Sequence, residues 1–189
     1  MQRLETHPLP AMTLDDAVAL QWRLVDLIHR HFEGHETLQA GDRGVVPGLG
    51  RPKTTATVER VLADLFGAED AALVRGAGTG AIRAALAAMI RPGGRVLVHR
   101  APIYPTTRAT FEAMGLVPVE ADFHDAAELT AAARRVEAAL VQYSRQRLTD
   151  SYDPGEVVSV LHRERPDLPV LTDDNYAVLK VPRIGAQQG

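Results

Sequence analysis

The chain has 189 residues, 46% of them hydrophobic and 24% charged, with a formal net charge of -3 and no cysteine. This composition describes a soluble globular domain with an N-terminal appendage and room for a sizeable core. It excludes a basic footprint for nucleic acid, disulfides, thiolate chemistry and zinc ribbons, and no apolar run is long enough to span a bilayer.

The polar, acidic N-terminus lacks the apolar core of a signal peptide, so a cytoplasmic location is expected. Thr13 can cap a first helix with Asp15 and Asp16 in its first turn, and Val18, Trp22, Val25 and Ile28 recur at helical spacing up to about Phe32. His29, His31 and His35 follow. Their spacing does not place all three on one helical face, so they read as solvated or near a subunit contact rather than as a metal site. Residues 40–53 hold four glycines and two prolines and form a loop. Thr54 or Thr55 then caps an amphipathic helix with Val58, Leu62 and Leu65 on one face, ending near Gly67. The expected division is residues 1–53, a helix and loop, and residues 54–189, the main domain.

Beyond Gly67 the chain alternates. Apolar runs at 71–74, 96–99, 116–121, 138–142 and 170–172 read as buried strands, with helices at 81–90, 106–114, 126–136 and 155–163 between them. Repeated strand–helix–strand units of this length imply an α/β three-layer sandwich with right-handed crossovers and a mainly parallel sheet. In such a sheet ligands collect beyond the carboxyl ends of the strands.

The first such end carries RGAGTGAIRA, residues 75–84, with glycines at 76, 78 and 80. Glycine in a helical turn costs about 1 kcal/mol relative to alanine. Three in five residues point to a need for bare backbone: a phosphate or carboxylate cradle at a helix N-terminus, with Thr79 adding a hydroxyl. A tight strand-to-helix turn is the other reading. The later strand ends hold Tyr104 in APIYPTTR, Gln142, Ser144 and Arg145 in VQYSRQR, and Asp173, Asp174 and Tyr176 in VLTDDNYAVLK.

In this order the motifs resemble the large domain of fold-type-I pyridoxal-phosphate enzymes, particularly the branch of cystathionine and methionine γ-lyases and related aminotransferase-like proteins. GLGRPKTTATVERVLADLFGAEDAALV resembles that branch's segment of arginine, loop and capped helix. AGTGAI resembles its Ser-Gly-Met-Ala-Ala phosphate loop, the Tyr104 stretch its cofactor-stacking segment, and TDDNYA the strand-end Asp-x-x-aromatic of the wider superfamily. The resemblance implies that Gly78, Thr79 and Gly80 hold the phosphate of pyridoxal 5'-phosphate and that the Tyr104 ring stacks on the pyridine. It further implies that Asp173, rather than Asp174, keeps the ring nitrogen protonated, with Tyr176 near the ring oxygen. Asp173 and Tyr104 are the catalytic candidates. Arg51 matches an arginine that reaches a neighbouring subunit's phosphate, which implies a homo-oligomer, dimer or tetramer; Leu49 stands where that branch has a tyrosine.

The implied activity is transformation of an amino acid substrate by transamination or by β- or γ-elimination. The family's Schiff-base lysine lies beyond the aspartate, after another strand. Only Lys53 and Lys180 occur here, and Lys180 reads as a surface residue. The expectation is therefore an N-terminal portion, inactive alone, without that lysine and without the family's substrate-carboxylate arginine. Two alternatives stand beside this: an S-adenosylmethionine- or dinucleotide-binding α/β enzyme, and a non-catalytic interaction module. The first usually places an acid at the end of the next strand, where this chain has His99 and Arg100.

Overall fold

A computed structural model describes residues 10–34, 48, 52–143, 147 and 150–188. The chain divides into two compact units, residues 12–73 and residues 74–189, the latter joined by the segment ending at Ala11. The division falls at 73/74 rather than 53/54 because the second helix packs with the first.

In the first unit, α1 (Leu14–His31) is capped by Thr13, whose hydroxyl accepts the Asp16 N–H at 3.1 Å. The expected apolar stripe is offset: Val18 and Trp22 are exposed, and the packed face is Leu20, Leu24, Leu27 and Ile28 against Val61 and Leu65. The second helix, α2 (Lys53–Phe66), begins before both threonines. Pro52 is its N-cap, with no side-chain capping bond, and Gly67 ends it. Residues 71–74 are not a strand. The Leu73 N–H donates to the Glu59 carboxylate at 2.8 Å, which takes a ladder donor away, and Leu73 and Val74 are exposed.

The second unit is built on β1 (Arg95–His99), β2 (Val117–Ala121), β3 (Ala138–Gln142) and β4 (Val170–Asp173). All pair in parallel, in the order β2-β1-β3-β4. The sheet thus has four strands among the described residues, not five. Side chains alternate across it as the two-residue period requires. Leu97, Ala139 and Val141 face a core with Leu129 and Ala133 of α5 (Ala126–Ala133) and Val157 and Leu161 of α6 (Pro154–Glu164). Val96, Val98, Ala138 and Leu140 face the other way, onto Leu86 of α3 (Ala77–Met89) and Phe111 of α4 (Pro105–Met114). Helices on both faces complete the expected three-layer sandwich. Among the described strands β2 stands at an edge, with Pro118 and Glu120 in its middle and Val117 exposed. No described helix is long and apolar enough to cross a membrane.

Candidate functional site

The carboxyl ends of β3 and β4 open into a cavity of about 220 Å³. Its walls are the first residues of α3 (Ala77, Gly78, Thr79) with Ile82, the start of α4 (Tyr104, Thr106), and the strand ends and following turn (Gln142, Asp173, Asn175, Tyr176).

Helix α3 starts four residues earlier than its periodicity suggests, so Gly78 and Gly80 lie inside its first turns. The three glycines have different causes. Gly76 is the N-cap at φ +98°, a left-handed conformation that side chains resist. A Cβ at Gly80 would stand 2.1 Å from the Arg75 carbonyl oxygen, so close backbone approach requires glycine there. The Gly80 N–H is also used within the helix, donating to the Gly76 carbonyl at 2.9 Å, and Gly80 does not line the cavity. Gly78 has neither constraint. A Cβ there would meet the Asn175 Oδ1 at 3.5 Å, an ordinary contact with another cavity residue. The turn reading therefore explains two glycines, and only Gly78 is left for a ligand to explain. Ala77, at φ +52°, is held in the left-handed region as well, a strain of about 1–2 kcal/mol in the cavity wall.

No side chain caps α3, so its first amides face the cavity end of the helix dipole without a protein acceptor supplied by the N-cap. The Thr79 hydroxyl donates to the Thr106 hydroxyl at 3.0 Å, pairing the first turns of two helices. Tyr104 is the N-cap of α4 and is 39% exposed, its ring on the cavity wall. Opposite lies Asp173, half-buried at the end of β4, whose Oδ1 accepts the Asn175 N–H at 3.2 Å.

Asp174 points elsewhere. Its Oδ2 accepts the Gly185 N–H at 2.9 Å and the Thr172 hydroxyl at 3.2 Å. Burial holds its carboxyl above the ordinary range and the neighbouring Asp173 charge adds to this, against those two hydrogen bonds. The structure thus brings Gly78, Thr79, Tyr104, Asp173 and Tyr176 to one cavity and leaves Gly80 and Asp174 outside it. Arg51, Leu49, Ser144, Arg145 and His35 lie outside the described residues. Lys180 is exposed, with its Nζ 5.8 Å from the Tyr176 ring centroid. Thr106 and Asn175 were missed. The signal for both was adjacency, two residues after the candidate tyrosine and two after the candidate aspartate.

His29 is exposed and His31 half-buried at the end of α1. His29 Nδ1 bonds the Val25 carbonyl at 2.8 Å, and His31 Nε2 bonds Asp64 at 2.6 Å. A separate cluster joins His99, His124 and Asp150, whose ligand-type atoms all lie within 4.8 Å of one another. The Phe123 N–H donates to His99 Nδ1 at 3.0 Å, so the ring proton is on Nε2, which donates to Asp150 Oδ2 at 2.9 Å. A metal on Nε2 would need the proton on Nδ1, where the amide already stands. The cluster is a hydrogen-bonded hub. His124 Nε2 takes the other carboxylate oxygen at 3.0 Å. Burial alone would raise the Asp150 carboxyl, but the hydrogen bonds from His124 and His99 outweigh it and bring it below the ordinary range.

An all-parallel sheet flanked by helices, with its cavity at the carboxyl ends of the strands, is the large-domain architecture of the fold-type-I proteins. A family model described as aminotransferase class I and II matches residues 27–151, and the chain belongs to that family. Among curated proteins, it is 51% identical over 188 residues to uncharacterized protein YhfS of Escherichia coli (strain K12), covering 98% of this chain and 52% of that protein. Among solved structures, the pyridoxal-5'-phosphate-dependent protein YhfS from Escherichia coli matches with a TM-score of 0.92 and 52% identity, over 97% of this chain and 51% of that one. A carbon-sulfur lyase involved in aluminum resistance from Clostridium novyi NT shares the fold, with a TM-score of 0.72 and 19% identity over 93% of this chain and 47% of that one. The chain spans about half the length of these relatives.

Proposed function

We propose that the cavity is a pyridoxal 5'-phosphate site and that the chain contributes it to an enzyme transforming an amino acid, by transamination or by β- or γ-elimination. The observation that carries this reading is the convergence of an uncapped helix start, an aromatic ring and a strand-end carboxylate on one cavity. The donor set fits the cofactor: amides and hydroxyls suit its phosphate, and a carboxylate suits its ring nitrogen. Gly78 fits too, since it is the one glycine of the turn whose missing Cβ is not dictated by the backbone.

In this reading the amides of Gly78 and Thr79 and the hydroxyl of Thr106, whose oxygen accepts from the Thr79 hydroxyl, bind the phosphate, each a charge-assisted hydrogen bond of about 1.5–3 kcal/mol. Tyr104 covers one face of the ring and excludes water from it. Asp173 holds a proton on the ring nitrogen by placing an opposite charge beside it, and the Asn175 N–H keeps that carboxylate oriented. When bound, the cofactor supplies the electron sink for charge developing on the amino acid. The same reading includes a homo-oligomer, in which Arg51 serves a neighbouring copy.

The test is titration of the chain with pyridoxal 5'-phosphate, followed by absorption and thermal stability, beside Asp173→Ala. Expected is saturable binding that raises the melting midpoint, by about 2.7 kcal/mol of stability at a hundred times Kd, and weaker binding by the variant. Failure of the unaltered chain to bind would reject the cofactor reading.

A further inference from the structure

The sheet opens between its two inner strands. β1 and β3 pair only at Val96↔Ala138 and Leu97↔Ala139, while β1 stays paired with β2 to His99 and β3 with β4 to Gln142. Beyond Leu97, the edge of β3 that faced β1 needs another partner, because a buried peptide group without one costs about 1–3 kcal/mol. Tyr152 supplies it. The Gln142 N–H donates to the Tyr152 hydroxyl at 3.2 Å, and that hydroxyl donates to the Gln142 carbonyl at 2.8 Å.

The ring of Tyr152 has little freedom. It is 3% exposed, with the His99 and Phe123 ring centroids each 5.1 Å away and His124 at 6.1 Å. Asp150 bonds both imidazoles, and the Phe123 amide fixes the proton of His99. Groups from three strand ends are thus locked together behind one hydroxyl. On its far side, Gln142 lies in register with Asp173, and both line the cavity.

We propose that Tyr152 is a positioning residue for the cavity: its hydroxyl holds the end of β3 so that the Gln142 side chain stands beside Asp173 and meets the ligand there. This role presupposes the cofactor reading given above. The Gln142 amide offers a donor and an acceptor next to a carboxylate that only accepts, so it can bind a ring substituent whether that group donates or accepts.

A double-mutant cycle with Tyr152→Phe and Gln142→Ala tests it, measured as pyridoxal 5'-phosphate affinity of the full chain well below its melting midpoint. Tyr152→Phe keeps the ring and removes the hydroxyl. It is expected to weaken binding about fivefold, the worth of one neutral hydrogen bond, and to have no further effect when Gln142 is already alanine. A structural role alone would give the same loss on both backgrounds, and that result overturns the proposal while leaving the cofactor reading intact. Native-state hydrogen exchange gives a ligand-free check: the Gln142 amide should exchange at least about tenfold faster in Tyr152→Phe, and unchanged protection would also overturn it. If the unaltered chain binds no cofactor, the cofactor reading falls and takes the positioning role with it.

Discussion

Two glycines two residues apart separate fold from site. At Gly80 a Cβ would stand 2.1 Å from the Arg75 carbonyl oxygen and 3.0 Å from its carbon, and neither atom belongs to a side chain that can swing away. Overpacking of this kind costs about 1–3 kcal/mol, and a backbone clash belongs at the upper end. Gly80→Ala should therefore lower the melting midpoint by roughly 6–12 °C, at about 2–4 °C per kcal/mol for a chain of this size. Gly78→Ala meets only an ordinary 3.5 Å contact and replaces glycine within a helix. It should gain up to about 1 kcal/mol in stability. The same methyl occupies the path of an anion to the amides, so loss of one charge-assisted bond should weaken pyridoxal 5'-phosphate binding by roughly 10- to 150-fold. Thermal denaturation and cofactor titration on the two variants give four numbers. A Gly78→Ala chain that binds as tightly as the parent would refute the cradle, and a Gly80→Ala chain of parental stability would refute the account of the turn.

Two further predictions concern pH. The Asp174 carboxyl is held above its ordinary value of 3.8, so its contribution to stability is full below that value and is lost as pH rises through the folded value. Asp174→Asn keeps an oxygen acceptor for Gly185 and Thr172 and removes the buried charge. It should melt higher than the parent at pH 7, with the gain vanishing near pH 3 in circular-dichroism melts; an equal gain at both pH values would count against a charge effect. Asp150 is shifted the other way, below 3.8, so it stabilises above that value and loses the effect as pH falls through the folded one. Asp150→Asn can accept from only one imidazole, and it should be less stable than the parent at pH 7 with the difference shrinking on acidification. A constant deficit down to pH 2 would point to packing instead.

Much of this architecture is legible in the residues, and the exceptions have physical causes. The run AALVQ is continuous and apolar because β3 is covered on both faces, and its limits are those of the strand. Strand-end loops led to Tyr104, Asp173 and Tyr176 because a parallel sheet gathers its ligands there. The start of α3 was hidden by its own glycines, which read as a loop although two of them serve a helical turn. In α1 two apolar stripes share the helical period, and only the partner helix selects Leu20, Leu24, Leu27 and Ile28. Residues 71–74 carry four apolar side chains but lose a backbone donor to Glu59, a competition that no pattern within the segment reveals. The hub of His99, His124, Asp150 and Tyr152 was invisible for a different reason. Its members lie up to 53 positions apart and meet only after the sheet forms.

The edge strand β2 has a consequence beyond the site. Proline cannot donate to a ladder, and a glutamate resists desolvation, so the sequence VPVEA makes a poor template for a foreign strand. Pro118 sits between Val117 and Val119, and Glu120 follows Val119, valines whose β-propensity alone would invite one. Pro118 and Glu120, both exposed, therefore guard this edge of the sheet against pairing with another chain.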